Sequence, residues 1–188
     1  MSAVLDHKTY IRTMSEHDIE AVLAIERAAY DFPWSMNIFV ECIKAGYVCR
    51  VCCSNDQAMG YAIMSLGAGE CHIMNVCVCP REHGNGYGSL LMDDLLAIAK
   101  RANTHIAFLE VRTSNRRAHA LYQYLGFNEV GIRKNYYPAR QGREDAYVLA
   151  DLVAPGVSIF PVQYTADSGA TCLGQVQEEN AGVLHEGT

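Results

Sequence analysis

His83-Gly84-Asn85-Gly86-Tyr87-Gly88 follows the apolar run Cys71-His72-Ile73-Met74-Asn75-Val76-Cys77-Val78 and precedes a stretch in which Tyr87, Leu90, Leu91, Leu95 and Ile98 fall at helical spacing. The run before it reads as a strand and the stretch after it as an amphipathic helix. Three alternate glycines remove side chains where the backbone turns, so its N–H groups can approach a bulky anion. A strand, a glycine loop and a helix N-terminus together make a cradle for a pyrophosphate, because the helix dipole favours negative charge there. On the glycines alone, an ordinary glycine-rich connection reads as well, and the surroundings have to decide.

Upstream, Tyr10-Ile11-Arg12 is a short strand, and Ser15 with Asp18 three residues on marks the start of a helix whose face carries Ile19, Val22, Leu23 and Ile25. Asp31-Phe32-Pro33-Trp34 ends that region, since proline disfavours helix at the residue before it. Ser35 caps a second helix that runs through Ile38, Phe39 and Ile43 to Gly46. Strands over 47–53 and 58–66 follow, joined by the turn Ser54-Asn55-Asp56-Gln57. Downstream, the long helix ends near Asn103, a fifth strand covers 106–111, and a helix over 117–125 is stopped by Gly126. Two last strands, 128–134 and 146–152, flank a loop over 135–142. The order βααβββαβαββ predicts an α/β fold, a mixed sheet with helices packed on it.

The chain has 188 residues and a net charge of −6, but everything from Val153 onward contributes −4 of that through Asp167, Glu178, Glu179 and Glu186, with no Lys or Arg. Residues 1–152 therefore carry −2, which gives little pull toward basic partners and no basic face for nucleic acid. No apolar run approaches the roughly 20 residues that span a bilayer, and the N-terminus lacks the apolar core of a signal peptide, so the expectation is a cytoplasmic protein without membrane contact. One domain over 1–152 is expected. Beyond it Ala154-Pro155-Gly156 breaks the pattern, and 153–188 reads as a flexible tail in which 157–164 has the composition for an extra strand. The eight cysteines lack a second Cys-x-x-Cys pair or a histidine pair with zinc spacing, and those at 49, 52, 53, 71 and 77 fall in predicted strands. They read as free, reduced thiols and small core residues, with no metal site.

The chemistry-bearing candidates lie after the glycine loop. Ile106, Phe108 and Glu110 share one face of the fifth strand, so a carboxylate stands at its C-terminal end, where sheets with helical connections often bind ligands. A solvent-facing Glu at a fraying strand end is the plainer alternative. Asn115 is placed to cap the next helix. Tyr122 belongs to the stripe Ala118, Leu121, Tyr122, Leu125, which by default is core. His72, His83 and His105 form no triad with a Ser or Cys nucleophile. The first strand and helix lack the glycine fingerprint of a dinucleotide fold.

The combination of this element order, the loop after the fourth strand and the segments Phe108-Leu109-Glu110-Val111-Arg112-Thr113-Ser114-Asn115, Ala120-Leu121-Tyr122-Gln123-Tyr124-Leu125-Gly126-Phe127, Arg133-Lys134-Asn135-Tyr136-Tyr137-Pro138, Gly142-Arg143-Glu144-Asp145-Ala146 and Phe32-Pro33-Trp34-Ser35 resembles the GCN5-related N-acetyltransferase (GNAT) superfamily. The likeness covers about residues 8 to 152. Within the superfamily it is similar to the branch that acetylates the N-terminal alanine of a small-subunit ribosomal protein. The resemblance implies the GNAT fold, a mixed, mostly antiparallel central sheet flanked by about four helices, with acetyl-CoA as co-substrate and a ribosomal protein N-terminus as partner. It implies that Val76, Cys77 and Val78 offer backbone groups to the pantetheine arm. His83, Gly84, Asn85, Gly86, Tyr87, Gly88 and Ser89 would hold the pyrophosphate, with Asn115 also touching the cofactor. Glu110 would be the general base and Tyr122 the general acid. The family loop begins Gln/Arg-x-x-Gly, and this branch commonly has a basic residue second. His83 and Gly84 depart from both, which predicts a weaker hold on acetyl-CoA. Transfer to lysine side chains or small amines is the alternative activity. A non-catalytic acyl-CoA-binding module ranks last, since Glu110 and Tyr122 are both present.

Overall fold

The computed structural model describes residues 8–153; the expected tail and its candidate strand over 157–164 lie outside the described residues. Strand β1 (Thr9–Thr13) leads through a short 3-10 turn (Glu16–Asp18) into α1 (Ile19–Ala29), and α2 (Met36–Lys44) follows. Next come β2 (Val48–Ser54), β3 (Gln57–Gly67) and β4 (Glu70–Val78), paired antiparallel in sequence. Helix α3 (Tyr87–Arg101) crosses to β5 (Ile106–Arg112), and α4 (Arg116–Tyr124) precedes the closing pair β6 (Asn128–Pro138) and β7 (Arg143–Leu152). The sheet runs β1-β2-β3-β4-β5-β7-β6, and β4 with β5 is its one parallel pair among the described residues. The expected order and the mixed, mostly antiparallel sheet with four helices are both present.

Local chemistry accounts for the ends of these elements. Asp18 Oδ2 accepts from the Ser15 N–H at 2.8 Å and its hydroxyl at 2.9 Å, the reciprocal cap that the Ser-x-x-Asp spacing predicts. Arg12 donates to both oxygens of Asp18 at 2.8 and 2.6 Å, and this bidentate contact holds the carboxyl well below the usual range. Asn55 and Asp56 both take positive φ between the paired Ser54 and Gln57, a two-residue hairpin turn.

The core lies on both faces of the sheet. Leu91, Met92 and Leu95 of α3 pack with Cys52, Met64 and Cys71, while Val22, Leu23 and Phe39 of α1 and α2 pack with Cys49, Cys53, Tyr61 and Ile63. The strand cysteines 49, 52, 53, 71 and 77 are thus small buried hydrophobes shared between the two faces, and the seven described cysteines form no disulfide.

Two irregularities position the site. Ile63 pairs with Asn75 but Met64 with Ile73, so Met74 is an extra residue in β4. Cys71 and Ile73 consequently face α3 while Cys77, which strict alternation would put beside them, faces α1 and α2. Parallel pairing of β4 with β5 covers Glu70–Ile73 against Ile106–Leu109 and stops there. Past the bulge the two strands separate, and the opening between them is lined by both. The second irregularity corrects the expected loop over 135–142. Strand β6 continues to Pro138 and β7 begins at Arg143, because a bulge between Arg133 and Tyr137, with Asn135 at φ 51°, absorbs the turn-prone residue without ending the strand.

Candidate active site

Two cavities occupy the opening between β4 and β5. The larger, about 880 Å³, is lined by Val76, Cys77 and Val78 and by His83, Gly84, Gly86, Tyr87, Gly88 and Ser89. Cys79 N donates to Met59 O, which makes that pair hydrogen-bonded and, by alternation along the register, the Tyr61–Cys77 pair as well. The backbone groups of Cys77 are therefore committed to β3, and those of Val76 and Val78 point to the open side. There the Tyr30 hydroxyl donates to Val76 O at 3.4 Å and His83 Nε2 lies 3.0 Å from Val78 O. The N–H groups of Val76 and Val78 face the same opening.

His83 thus fastens the loop to the end of β4. Gly84 and Gly86 have φ of 94° and 84°, and a Cβ at either would meet nothing within 4 Å, so backbone conformation, not space, requires glycine. Gly88 answers a different need: its Cβ would stand 3.3 Å from Leu121 Cδ2, where α3 approaches α4. The first α-helical bond of α3 runs from Leu90 N to Gly86 O, so the N–H groups of Tyr87, Gly88 and Ser89 have no intrahelical acceptor and lie along the groove. Asn85 is the loop residue that does not line it; its amide donates to Glu82 Oε2 at 2.8 Å. The residues fit an anionic, elongated ligand with its charge at the helix N-terminus.

The smaller cavity, about 430 Å³, is lined by Glu26, Tyr30 and Trp34 on one side, Glu110 below, and Tyr136 and Tyr137 opposite. Both cavities share Tyr30, Val76, Arg112, Asn115 and Tyr122, so they meet there. Asn115 caps α4 as expected, its Oδ1 accepting from Ala118 N at 3.2 Å. Tyr122 is both core and cavity wall: it packs with Phe127, and burial pushes its phenol up to about 12.

Glu110 is no fraying end: its side chain is 10% exposed and Oε1 lies 3.2 Å from Arg133 Nη2. Burial pushes its carboxyl up, and Arg133 and then His72 pull it back. Tyr137 donates to the Glu110 carbonyl at 3.1 Å. Glu26, which the sequence reading passed over, sits on the buried stripe of α1, four residues after Val22; a carboxylate at that spacing was the signal. It accepts from Trp34 N at 2.8 Å and from the Tyr61 hydroxyl, which in turn accepts from Asn75 Nδ2 at 3.0 Å. The network ties the loop after α1 to β3 and β4.

The segments 133–138 and 142–146 explain each other. Arg143 donates to the carbonyls of Asn135 and Tyr136, the latter at 2.7 Å, while Asp145 accepts from Asn135 N at 2.9 Å and Lys134 Nζ at 2.7 Å. These bonds fix the β6 bulge. Glu144 accepts from Ser114 N at 2.7 Å and Arg112 Nη1 at 3.2 Å; burial acts upward on its carboxyl, yet these bonds outweigh it and hold it below the usual range. Among the described residues no cluster of three His, Cys, Asp or Glu is arranged for a metal, and no helix is long and apolar enough to cross a membrane.

This strand split, with a glycine-edged groove and a buried carboxylate and phenol at its inner end, is the architecture of an acyltransferase, and residues 16–127 match the Acetyltransferase (GNAT) family. The chain belongs to that family and is an N-acetyltransferase. It is 36% identical over 140 residues to the [ribosomal protein bS18]-alanine N-acetyltransferase of Escherichia coli K12, covering 74% of this chain and 95% of that one. The Haemophilus influenzae enzyme of the same name is 38% identical over 134 residues, 71% and 91% of the two chains. The crystal structure of the Escherichia coli ribosomal-protein-S18-alanine N-acetyltransferase superposes with a TM-score of 0.74 at 33% identity, covering 81% of this chain and 99% of that one.

Proposed function

We propose that the chain moves an acetyl group from acetyl-CoA to the α-amine of a protein N-terminus, the alanine of ribosomal protein bS18 in particular. The observation that carries this reading is the junction of the two cavities. Acetyl-CoA in the larger, with its pyrophosphate at Gly84–Ser89, brings its thioester to Val76 and Tyr122, and an amine in the smaller meets Glu110 there. The names and coverage of the relatives support the acceptor.

An α-amine has a pKa near 7.7–8.0, so a modest base suffices to free it at neutral pH. Glu110, directly or through a water, accepts that proton. One backbone N–H of the Val76–Val78 stretch receives the charge that builds on the thioester oxygen. Tyr122 protonates the departing sulfur. In water a tyrosine at about 10 is a poor donor to a thiolate whose acid has a pKa of about 8.5. Burial raises the Tyr122 phenol further, to about 12, so the transfer depends on holding the hydroxyl at the departing sulfur.

Incubation with acetyl-CoA and peptides beginning Ala-Arg or Met-Lys, or carrying an internal Lys, read by mass spectrometry, tests the acceptor. Acetylation confined to the Ala α-amine is expected. Acetylation confined to internal Lys defeats the N-terminal reading.

A further inference from the structure

Gly131, Val148 and Glu110 pair in line across β6, β7 and β5, and so do Arg133, Ala146 and Arg112. Residues paired across strands share a face, so Arg133 stands on the face of Glu110, two strands away and two pairs further along. Ala146 and Val148, compact and buried, let the guanidinium cross β7 to reach Glu110 Oε1. We propose that Arg133 is the positioning residue for Glu110: spanning β7, it fixes the carboxylate that accepts the proton of the acceptor amine. This rests on the reading of Glu110 as the base.

The aim of Arg133 is set at both ends. Its guanidinium lies 5.3 Å from the centre of the Tyr136 ring, and the bulge immediately after it is held by Arg143 and Asp145. A planar guanidinium restrained in this way loses little further freedom when it grips a carboxylate. With Oε1 engaged, Oε2 is the oxygen left to meet the amine. The pair also answers the electrostatic problem of a buried base. Glu110 faces His72 from β4 and Arg133 and Tyr137 from β6, while Arg112, two residues on along its own strand, is turned to Glu144 and the Tyr137 ring. Burial favours its neutral acid, which cannot accept a proton, and Arg133 is foremost among the groups that oppose this.

The test is a cycle of Arg133→Met, Arg133→Lys, Glu110→Gln and the double variant Arg133→Met/Glu110→Gln. Each is assayed for kcat against pH at saturating acetyl-CoA and peptide, with thermal unfolding as the folding control. Removing the guanidinium raises the carboxyl's proton affinity, so base is available only at higher pH. The acidic limb for Arg133→Met is expected to move up by about 1–3 pH units. Its rate at neutral pH should fall about tenfold or more with the KM for acetyl-CoA unchanged, while Arg133→Lys, which keeps the charge, falls between. The double variant should be no slower than Glu110→Gln alone. Losses that multiply, or an Arg133→Met limb that stays in place, overturn the role of Arg133 while leaving Glu110 as base. Should Arg133→Met not fold, an Arg133→Lys limb identical to wild type together with wild-type kcat overturns it. If Glu110→Gln itself keeps the wild-type rate and limb, the base assignment fails and Arg133 loses its role with it.

Discussion

The larger cavity presents main-chain groups: N–H groups of Val76 and Val78 past the β4 bulge, and of Tyr87, Gly88 and Ser89 at the start of α3. In the smaller cavity they are side chains, and side-chain links hold its walls: Arg133 holds Glu110, Glu26 holds the loop after α1, and Arg143 and Asp145 hold the β6 bulge. The first cavity is set by where the backbone bends; the second is set by who touches whom. Substitutions therefore fail differently in the two. A backbone site tolerates side-chain changes and suffers from changes of dihedral freedom, whereas an interlocked one loses its shape when one link goes.

Tyr122 stands where the cavities meet and belongs to both, so its loss is expected to be the largest. Tyr122→Phe keeps the packing against Phe127 and removes the proton. We expect kcat to fall by about 100-fold or more, in the range of a lost general acid, with acetyl-CoA affinity by calorimetry nearly intact. Full activity in the variant removes Tyr122 from the acid role.

A crossed pair of variants separates the two cavities. Gly86→Ala forces a Cβ onto a left-handed residue, a strain of about 1–2 kcal/mol. At 1.4 kcal/mol per factor of ten, the KM for acetyl-CoA should rise about tenfold, with the peptide KM unchanged. Arg143→Ala frees the carbonyls of Asn135 and Tyr136 and loosens the bulge. The peptide KM should rise about threefold to tenfold, as befits partly exposed bonds, with the acetyl-CoA KM unchanged. Steady-state kinetics with each substrate varied in turn reads both. If either variant moves both constants alike, the division between backbone and side-chain cavities is wrong.

The same division governs what the sequence discloses. Dihedral demands are local and write themselves as Gly84, Gly86, Asn55 and Asp56, so the loop, the hairpin and the order of elements could be read residue by residue. The β4 bulge could not: Cys71 to Val78 is apolar at nearly every position because both faces are covered, and a run without alternation hides an extra residue. Asn135 misled in the opposite sense, since a residue at ease with positive φ reads as a turn whether it ends a strand or bulges it. Pattern placed Glu110 at a strand end and Tyr122 in a helical stripe, their roles came from resemblance, and their surroundings came from neither. Arg133 and Glu110 are 23 positions apart with no periodicity to link them, and only the register through β7 brings them together.

Asp31 and Arg140 form the clasp that sets the smallest expected effect. Arg140 donates to both oxygens of Asp31 at 2.9 and 2.6 Å, joining the loop after α1 to the β6–β7 turn over the mouth of the opening. It resembles the interlocks beneath it in geometry but differs in solvent: the side chains are 80% and 55% exposed. Water and salt screen such a pair, and holding two mobile side chains together offsets much of what remains. Both residues line the larger cavity, so Asp31→Ala should change the acetyl-CoA KM by less than about twofold. The change should be greater at low ionic strength than at high, with the unfolding temperature unmoved. A large loss that salt does not alter would mean that a rim pair of side chains, and not only the backbone, shapes the larger cavity.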